Sequence, residues 1–414
     1  MGPRPAASYR AQPQSPYRAY RKPGQRALAR GIDLAGSALA GPWARRGAAL
    51  DWGSLRKVAV LRLDHLGDVV HALPALQALR LALPKAELTL VCGPWAVELA
   101  ALSPAPHRVL SFDAPWFHRP RREGWPWGAI AGLGRLLKAQ GFDAAFELRG
   151  EPRHLLALGL SGIPFRAGQA LGPGGFLLHA RARFIEGAHE QAQNLGTLLQ
   201  AGLPWPMASR PLDAASLLAA APLPKLRIPA RGLAEARALA KGLKLKPRPL
   251  ALQVTCGTSA KRWPEGSWVR LINSLPTGLA PVILGGPGEE GQALALASRC
   301  RRKPAVAAGR LSLPGLAALL SSCRALVSLD SGPAHLAAGL GTPTLVLWSG
   351  TNEAWQWAPR GKRVRLVQAA PPDCSPCELA DCPLGHACMA GLAVEDALAG
   401  LKALLAGKPV TKED

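Results

Sequence analysis

Residues 326–348 read LVSLDSGPAHLAAGLGTPTLVLW. An apolar run over 326–329 stops at Asp330, Ser331-Gly332-Pro333 makes a turn, and His335 opens an alanine-rich helical pattern. Gly341-Thr342-Pro343 breaks that pattern before a second apolar run over 344–348. The order is strand, tight turn, helix, strand, the signature of a parallel α/β unit. A turn of this kind sets backbone N–H groups at a helix N-terminus, where the helix dipole favours anions. In an open α/β sheet ligands lie at the carboxyl ends of strands. Asp330 to His335 should lie there, and the reading is a phosphate-bearing ligand held by turn amides and His335.

The pattern repeats outward in both directions. Residues 58–63 read as a buried strand, 64–67 as a loop and 68–83 as a helix, with Pro74 near its first turns. AELTLVCGP and HRVLSFDA supply two more strands, followed by a Trp- and Arg-rich loop, PWFHRPRREGWPWG, a helix over 129–140 and a strand over 143–148. A proline-rich stretch, 203–230, reads as the connection to a second half. That half opens with a helix over 233–243 and continues with strands at 250–254, 281–284, 305–307, 325–329 and 344–347. The expected layout is a basic arm over 1–50, an N-terminal α/β domain over 51–225, a C-terminal one over 226–408 and a short tail over 409–414. Two such halves imply a cleft, where ligand sites concentrate.

Bulk composition agrees. With 414 residues, 48% hydrophobic and 19% charged, the chain is long enough for two ordinary globular domains. No uncharged apolar run reaches spanning length, and the N-terminus lacks the apolar core of a signal peptide, so a cytoplasmic protein is expected. The net charge of +23 points to a surface that attracts polyanions or anionic membranes. Residues 1–30 are basic, proline-rich and without an acidic residue, and read as a disordered arm. Residues 27–50 suit a short amphipathic helix for a membrane surface.

Several groups of residues carry chemistry. In LRLDHLGDVV, Asp68 stands where a helix starts, as an N-cap or as a general base able to take a proton from a hydroxyl. Asp64 lies earlier in that loop. Lys261 and Arg262 follow a Thr/Gly/Ser turn just before Trp263-Pro264-Glu265 opens a helix, which suits a diphosphate. In VILGGPGEEGQAL, Glu289 or Glu290 can accept hydrogen bonds from ribose hydroxyls, or simply complement the helix dipole. Arg149 and Arg153 in FELRGEPRH follow a strand and are candidates for an anionic acceptor. CSPCELADCPLGHAC spaces Cys374, Cys377, Cys382 and Cys388 as C-x2-C-x4-C-x5-C. A structural zinc ion and reduced thiols are both open readings of that spacing. Cys92, Cys256, Cys300 and Cys323 read as structural.

Taken together, LRLDHLGDVVHALPALQALR, KRWPEGSW and SLDSGPAHLAAGLGTPTLVLWSGT, in that order, resemble glycosyltransferase family 9, the ADP-heptose:lipopolysaccharide heptosyltransferases. The resemblance runs over about residues 56–400, and the segment ending in Cys388-Met389 is similar to the family's tail. It implies a GT-B fold of two Rossmann-like domains, with the acceptor on the first and the nucleotide sugar on the second. It implies an inverting transfer that requires no metal, Asp68 as base, Lys261 on the donor phosphates, and Asp330, Ser331, Gly332 and His335 in the donor-binding turn. Glu289 or Glu290 falls near the family's ribose-binding glutamate. Neither donor loop carries a DxD-type acidic pair, which agrees with metal independence. The implied partners are ADP-heptose, an anionic glycolipid acceptor and the inner face of the plasma membrane, with no nucleic acid. The loop VTCGTSAK departs from the family, with Thr255-Cys256-Gly257 where a Pro-Gly-Ala-type turn is usual.

Three other readings compete. A member of the same family could use another nucleotide sugar. An inactive relative could retain donor binding, although Asp68 beside the donor residues speaks against it. A basic zinc-containing nucleic-acid-binding protein would explain the charge and the cysteines, but not two α/β halves.

Overall fold

The computed structural model describes residues 23–44, 50–118, 126–206 and 212–407. Residues 1–22 and Arg45-Arg46 of the basic arm, residues 119–125 of the Trp- and Arg-rich loop, and the 409–414 tail lie outside the described residues. The chain divides into two compact units, with the division between Pro224 and Lys225.

The first unit is built on a parallel sheet of β1 (Lys57–Leu61), β2 (Glu87–Cys92), β3 (Arg108–Ser111), β4 (Ala144–Glu147), β5 (Phe165–Gln169) and β6 (Ala180–Ala182). Its order is β3-β2-β1-β4-β5-β6, and every pairing is parallel. The inner strands are buried on both faces, as parallel sheets require. Ile130, Leu133 and Leu137 of one helix and Leu155 and Leu158 of another pack over Ala59, Leu61 and Ala145.

The second unit carries β7 (Leu250–Gln253), β8 (Pro281–Leu284), β9 (Ala305–Val306), β10 (Ala325–Leu329), β11 (Thr344–Leu347) and β12 (Val364–Val367). The order β12-β11-β10-β7-β8-β9 is the same topology as in the first unit, read from the opposite edge. Its core gathers Leu252, Ile283, Val327, Leu329 and Leu347 with Trp263 and Trp268. The two indoles meet edge to face at 5.1 Å, and Trp263 Nε1 donates to the Leu392 carbonyl at 3.0 Å. The tryptophans of KRWPEGSW therefore anchor the loop that carries Lys261.

In each unit the chain reverses its direction of travel across the sheet between two neighbouring strands. The reversal lies between β1 and β4 in the first unit and between β7 and β10 in the second. These are the topological switch points at which doubly wound folds bind ligands.

Four expectations need correction. Residues 23–30 are not disordered: they begin α1 (Pro23–Ala44). Proline suits a first helical turn because its missing N–H would have no partner there. The packed face of α1 holds the helix down, with Ala29 buried and the Gly174 N–H donating to Asp33 Oδ1 at 2.8 Å. Asp68 is not the cap of its helix. In α2 (Leu66–Ala82) His65 is the N-cap and Asp68 the third helical residue, its carboxylate accepting the His65 N–H at 3.1 Å. That is the back-reaching half of a capping box. Pro74 lies in the middle of α2 rather than near its start, among eleven consecutive buried residues whose packing holds the helix together around it. The stretch 203–230 is not wholly a connection, since it holds the helix Ala214–Ala220.

Candidate active site

The loop leaving β7 forms a single 3-10 turn, Ser259–Lys261, capped by Arg262. The loop leaving β10 is Asp330-Ser331, and the helix Gly332–Gly339 starts immediately after it. The two loops flank the switch point of the second unit, and Lys261 Nζ bridges it to Asp330. Both side chains are largely withdrawn from solvent. Asn352, from the loop after β11, donates to the same Asp330 oxygen at 3.2 Å, and His335 Nε2 lies 4.0 Å from the other oxygen. Asp330 thus gathers a lysine, an asparagine and a histidine from three elements at one end of the sheet. Ser331 turns its hydroxyl back to Ser328 Oγ and the Leu329 carbonyl, at 3.1 and 3.2 Å, and locks the turn.

A second cluster lies after β8. Glu289 Oε2 accepts from the Thr255 hydroxyl and the Gly286 N–H, both at 2.6 Å. The Glu290 side chain instead lies against Gly309. The structure thereby separates the two neighbouring glutamates, tying Glu289 to the loop that leads to Lys261. Thr255, which replaces the proline of the usual family turn, is the partner that holds Glu289, and Gln253 donates to its hydroxyl at 2.8 Å.

The cysteine-rich segment braces the loop that carries Lys261 and the loop that carries Asn352. The Ala260 N–H donates to the Ala380 carbonyl at 3.1 Å and the Ser259 hydroxyl to Asp381 at 2.6 Å. The N–H groups of Cys377 and Glu378 donate to the carbonyls of Gly350 and Thr351 at 3.2 and 2.9 Å. A Cβ at Gly350 would stand 3.2 Å from Cys388 Cβ and from Ser375 Oγ. Cys374, Cys377, Cys382 and Cys388 all line one cavity of about 40 Å³, and all four are free thiols. The N–H groups of Leu384 and His386 point to Cys382 Sγ at 3.4 and 3.3 Å. Among the described residues no group of three or more His, Cys, Asp or Glu side chains is arranged to hold a metal ion. The thiols surround a space without standing as ligands around a centre, so no step is assigned to a metal there. Burial raises Cys374 and Cys377, and it pushes Cys92 and Cys323 up to about 12.

In the first unit the switch point holds a buried charge network. Arg62 Nε donates to Asp64 at 2.8 Å. Its Nη1 donates to Glu190 at 2.8 Å, Asn194 at 3.1 Å and the Leu148 carbonyl at 2.8 Å. Its Nη2 reaches Asp68 at 3.3 Å. Arg149, from the loop after β4, joins Asp64 across the switch point and lies over the Phe117 ring at 5.2 Å. Burial pushes Asp64 up, but the guanidiniums of Arg62 and Arg149 outweigh it and its carboxyl falls below the usual range. Glu190 has one guanidinium where Asp64 has two. Burial wins there, and its carboxyl rises. Asp68 keeps 14% of its side chain exposed, whereas Asp64 is fully enclosed. Asp68 can therefore meet a ligand and Asp64 cannot. Arg153 is bound to Glu151 at 2.6 Å and lies over Trp116 at 5.2 Å.

Asn352, Thr255, Arg62 and Glu190 join these clusters without having been singled out as site residues in the sequence. Asn352 stands one residue beyond the last motif, in a loop whose path only the sheet order determines.

With both switch points occupied by such clusters, comparison with known proteins decides the assignment. Residues 208–388 match the model for glycosyltransferase family 9 (heptosyltransferase). The chain is similar to lipopolysaccharide heptosyltransferase 1 of Pseudomonas aeruginosa, 27% identical over 332 residues that cover 78% of this chain and 86% of that protein. The chain is thus similar to glycosyltransferase family 9 over residues 208–388, and to a lipopolysaccharide heptosyltransferase over most of its length. Two solved structures share the fold. One is a family 9 glycosyl transferase from Veillonella parvula, with TM-score 0.68, 18% identity, and 87% of this chain and 99% of that one covered. The other is ADP-heptose lps heptosyltransferase II of E. coli, with TM-score 0.68, 19% identity, and 85% and 99% covered. The two parallel-sheet α/β units are those of a GT-B glycosyltransferase, and the protein is an enzyme of that class.

Proposed function

We propose that this enzyme moves a heptose, or a closely related sugar, from an ADP-sugar to a lipopolysaccharide-core or similar surface-glycan acceptor. The transfer inverts the anomeric centre and uses no divalent cation, and it takes place on the cytoplasmic face of the inner membrane. The observation that carries the reading is the meeting of Lys261, Asn352 and His335 around Asp330 at the switch point of the second unit. The names of the relatives support the sugar and the acceptor class: the Pseudomonas aeruginosa relative is a lipopolysaccharide heptosyltransferase.

The acceptor hydroxyl attacks the anomeric carbon opposite the departing diphosphate through an oxocarbenium-like transition state. Asp68 takes the hydroxyl proton. Its two oxygens are held by Arg62 and by the His65 N–H, so the base is positioned before substrate arrives. Lys261, His335 and the amides of the turn at Gly332 stabilise the charge that builds on the diphosphate. Asp330 holds Lys261 in place until the donor arrives. Glu289 is the acidic residue for the ribose hydroxyls, and Arg149 or Arg153 meets an anionic group on the acceptor.

The test is thermal stability against a panel of nucleotides and nucleotide sugars, since a ligand that binds only the folded state raises the melting temperature. Selective stabilisation by ADP and ADP-heptose, followed by transfer to truncated lipopolysaccharide that Asp68→Ala abolishes, is the expected result. Selective stabilisation by a uridine or guanosine sugar would refute the donor assignment. Full transfer by Asp68→Ala would remove Asp68 from the role of base.

A further inference from the structure

The segment before β1 is outside the residues that carry the family's motifs, and the chemistry above makes no use of α1. Over residues 23–39 it carries two distinct faces. The face against the body contains Ala29, Asp33 and Gly36. Ala29 is 3% exposed, Asp33 accepts the Gly174 N–H, and the Gly36 backbone lies against the Phe176 ring so closely that a Cβ there would stand 2.3 Å from it. These contacts fix the rotation of the helix about its axis.

Leu28, Ile32 and Leu39 form a stripe on another face, with Ala35 between them. Their spacing of i, i+4, i+7 and i+11 is that of one helical stripe. The three large side chains are 67%, 44% and 82% exposed. Leu34, also exposed, lies on the other flank of the solvent-facing half. A helix pinned by one side and apolar on another is built to meet something. The charge of its surroundings says what. Residues 1–50 contain nine arginines and lysines and a single acidic residue, Asp33. That one carboxylate is turned to the body, where it accepts a backbone N–H. Apolar side chains on a basic segment match a bilayer that carries anionic lipid, with leucines entering the acyl boundary and cations meeting headgroups. No helix among the described residues is long and apolar enough to cross a membrane, so the helix would lie on the surface.

We propose that the Leu28/Ile32/Leu39 stripe of α1 is a docking face for an anionic membrane surface. The helix would tether the first unit where a lipid-linked acceptor resides. The inference deepens the reading of the acceptor as a glycolipid but does not depend on it, because bare vesicles suffice as probe.

The experiment is co-sedimentation of the full chain with two kinds of vesicle, phosphatidylcholine alone and equal parts phosphatidylcholine and phosphatidylglycerol. The wild type should sediment with the mixed vesicles and not with phosphatidylcholine, and the binding should weaken with salt. The double variant Leu28→Glu/Leu39→Glu should lose at least roughly tenfold in vesicle affinity while keeping its melting temperature and its nucleotide-sugar binding. Equal sedimentation of wild type and variant overturns the proposal, as does a wild type indifferent to phosphatidylglycerol. A wild type that self-associates in size-exclusion chromatography, with the variant monomeric and vesicle binding unchanged, also overturns it by assigning the stripe to a second copy. Loss of nucleotide-sugar binding by the wild type would count against the donor reading and leave the vesicle result standing.

Discussion

Replacing Arg62 with methionine should destabilise the first unit more than any other single change in its site. The guanidinium is 1% exposed and serves Asp64, Glu190, Asn194, the Leu148 carbonyl and Asp68. Methionine fills much of the space but donates nothing. Asp64 would keep Arg149, whereas Glu190 would lose the guanidinium that pairs with it. Removing one partner of a buried ion pair costs about 3–5 kcal/mol, because the orphaned charge remains without its hydration. For a unit of this size each kcal/mol moves the melting temperature by about 2–4 °C, so a fall of roughly 6–20 °C is expected. Arg62→Lys keeps a charge but loses the fork that reaches several acceptors at once, and should fall between the two.

Urea unfolding at two pH values checks the cause. In the wild type Asp64 stands below its unfolded value, so it stabilises the fold above the ordinary carboxylate range, and that contribution is lost as pH falls through its folded value. Glu190 has the opposite sign: its folded carboxyl is already raised, and acidification relieves the cost of keeping it ionised. Without Arg62 the Glu190 carboxyl rises further. The stability gap between Arg62→Met and wild type should therefore be widest near neutral pH and narrow as pH falls toward the acidic range. The double variant Arg62→Met/Glu190→Leu should recover much of the loss, since a buried pair replaced by packed apolar groups is often neutral. A gap below about 1 kcal/mol at neutral pH, or one that widens on acidification, would refute the reasoning.

Other outcomes can be checked more briefly. Lys261→Ala should weaken nucleotide-diphosphate-sugar binding by about 10- to 100-fold, the value of one charge-assisted contact, and isothermal titration calorimetry would read it; unchanged affinity would remove Lys261 from the phosphate site. Asp381→Ala, which frees the Ser259 hydroxyl, should weaken donor binding about 3- to 10-fold through loss of one hydrogen bond that positions the Lys261 turn, with transfer restored at saturating donor. Gly168→Ala should destabilise the first unit by about 1–3 kcal/mol, because the added Cβ would stand 2.8 Å from the Glu147 carbonyl oxygen of the neighbouring strand; urea unfolding would show it.

The strand ends of this chain are legible in its sequence where both faces of a strand are buried. KVAVL, LALQ, PVIL and ALVSL are dominated by apolar residues, because strands inside a parallel sheet are covered on both sides. FRAGQ, ARA and VRLV each carry an arginine, with a glycine as well in FRAGQ; β6 and β12 are edge strands and β5 lies next to an edge. Their identity comes from neighbours in space rather than from pattern. The same distinction governs the sites. Asp68, Lys261 and Asp330 each stand just after a strand of readable sequence, so their place at a carboxyl end follows from the order of residues alone. What does not follow is which loops become neighbours. Lys261 lies 69 residues from Asp330 and Arg62 lies 128 from Glu190, and these pairs form because β7 pairs with β10 and α2 packs on the helix Glu190–Gln200. The departure at Thr255 is intelligible only in that light. A proline there offers no hydroxyl, while threonine at the same position receives Gln253 and donates to Glu289. The substitution therefore replaces a rigid turn with a hydrogen-bonded one and ties the acidic side chain of one loop to the lysine-bearing loop beside it. The two switch points are thus held by the same kind of device, a charge on one loop bridged to its opposite on the loop across the switch. In the first unit the bridge is Arg149 to Asp64, and in the second it is Lys261 to Asp330.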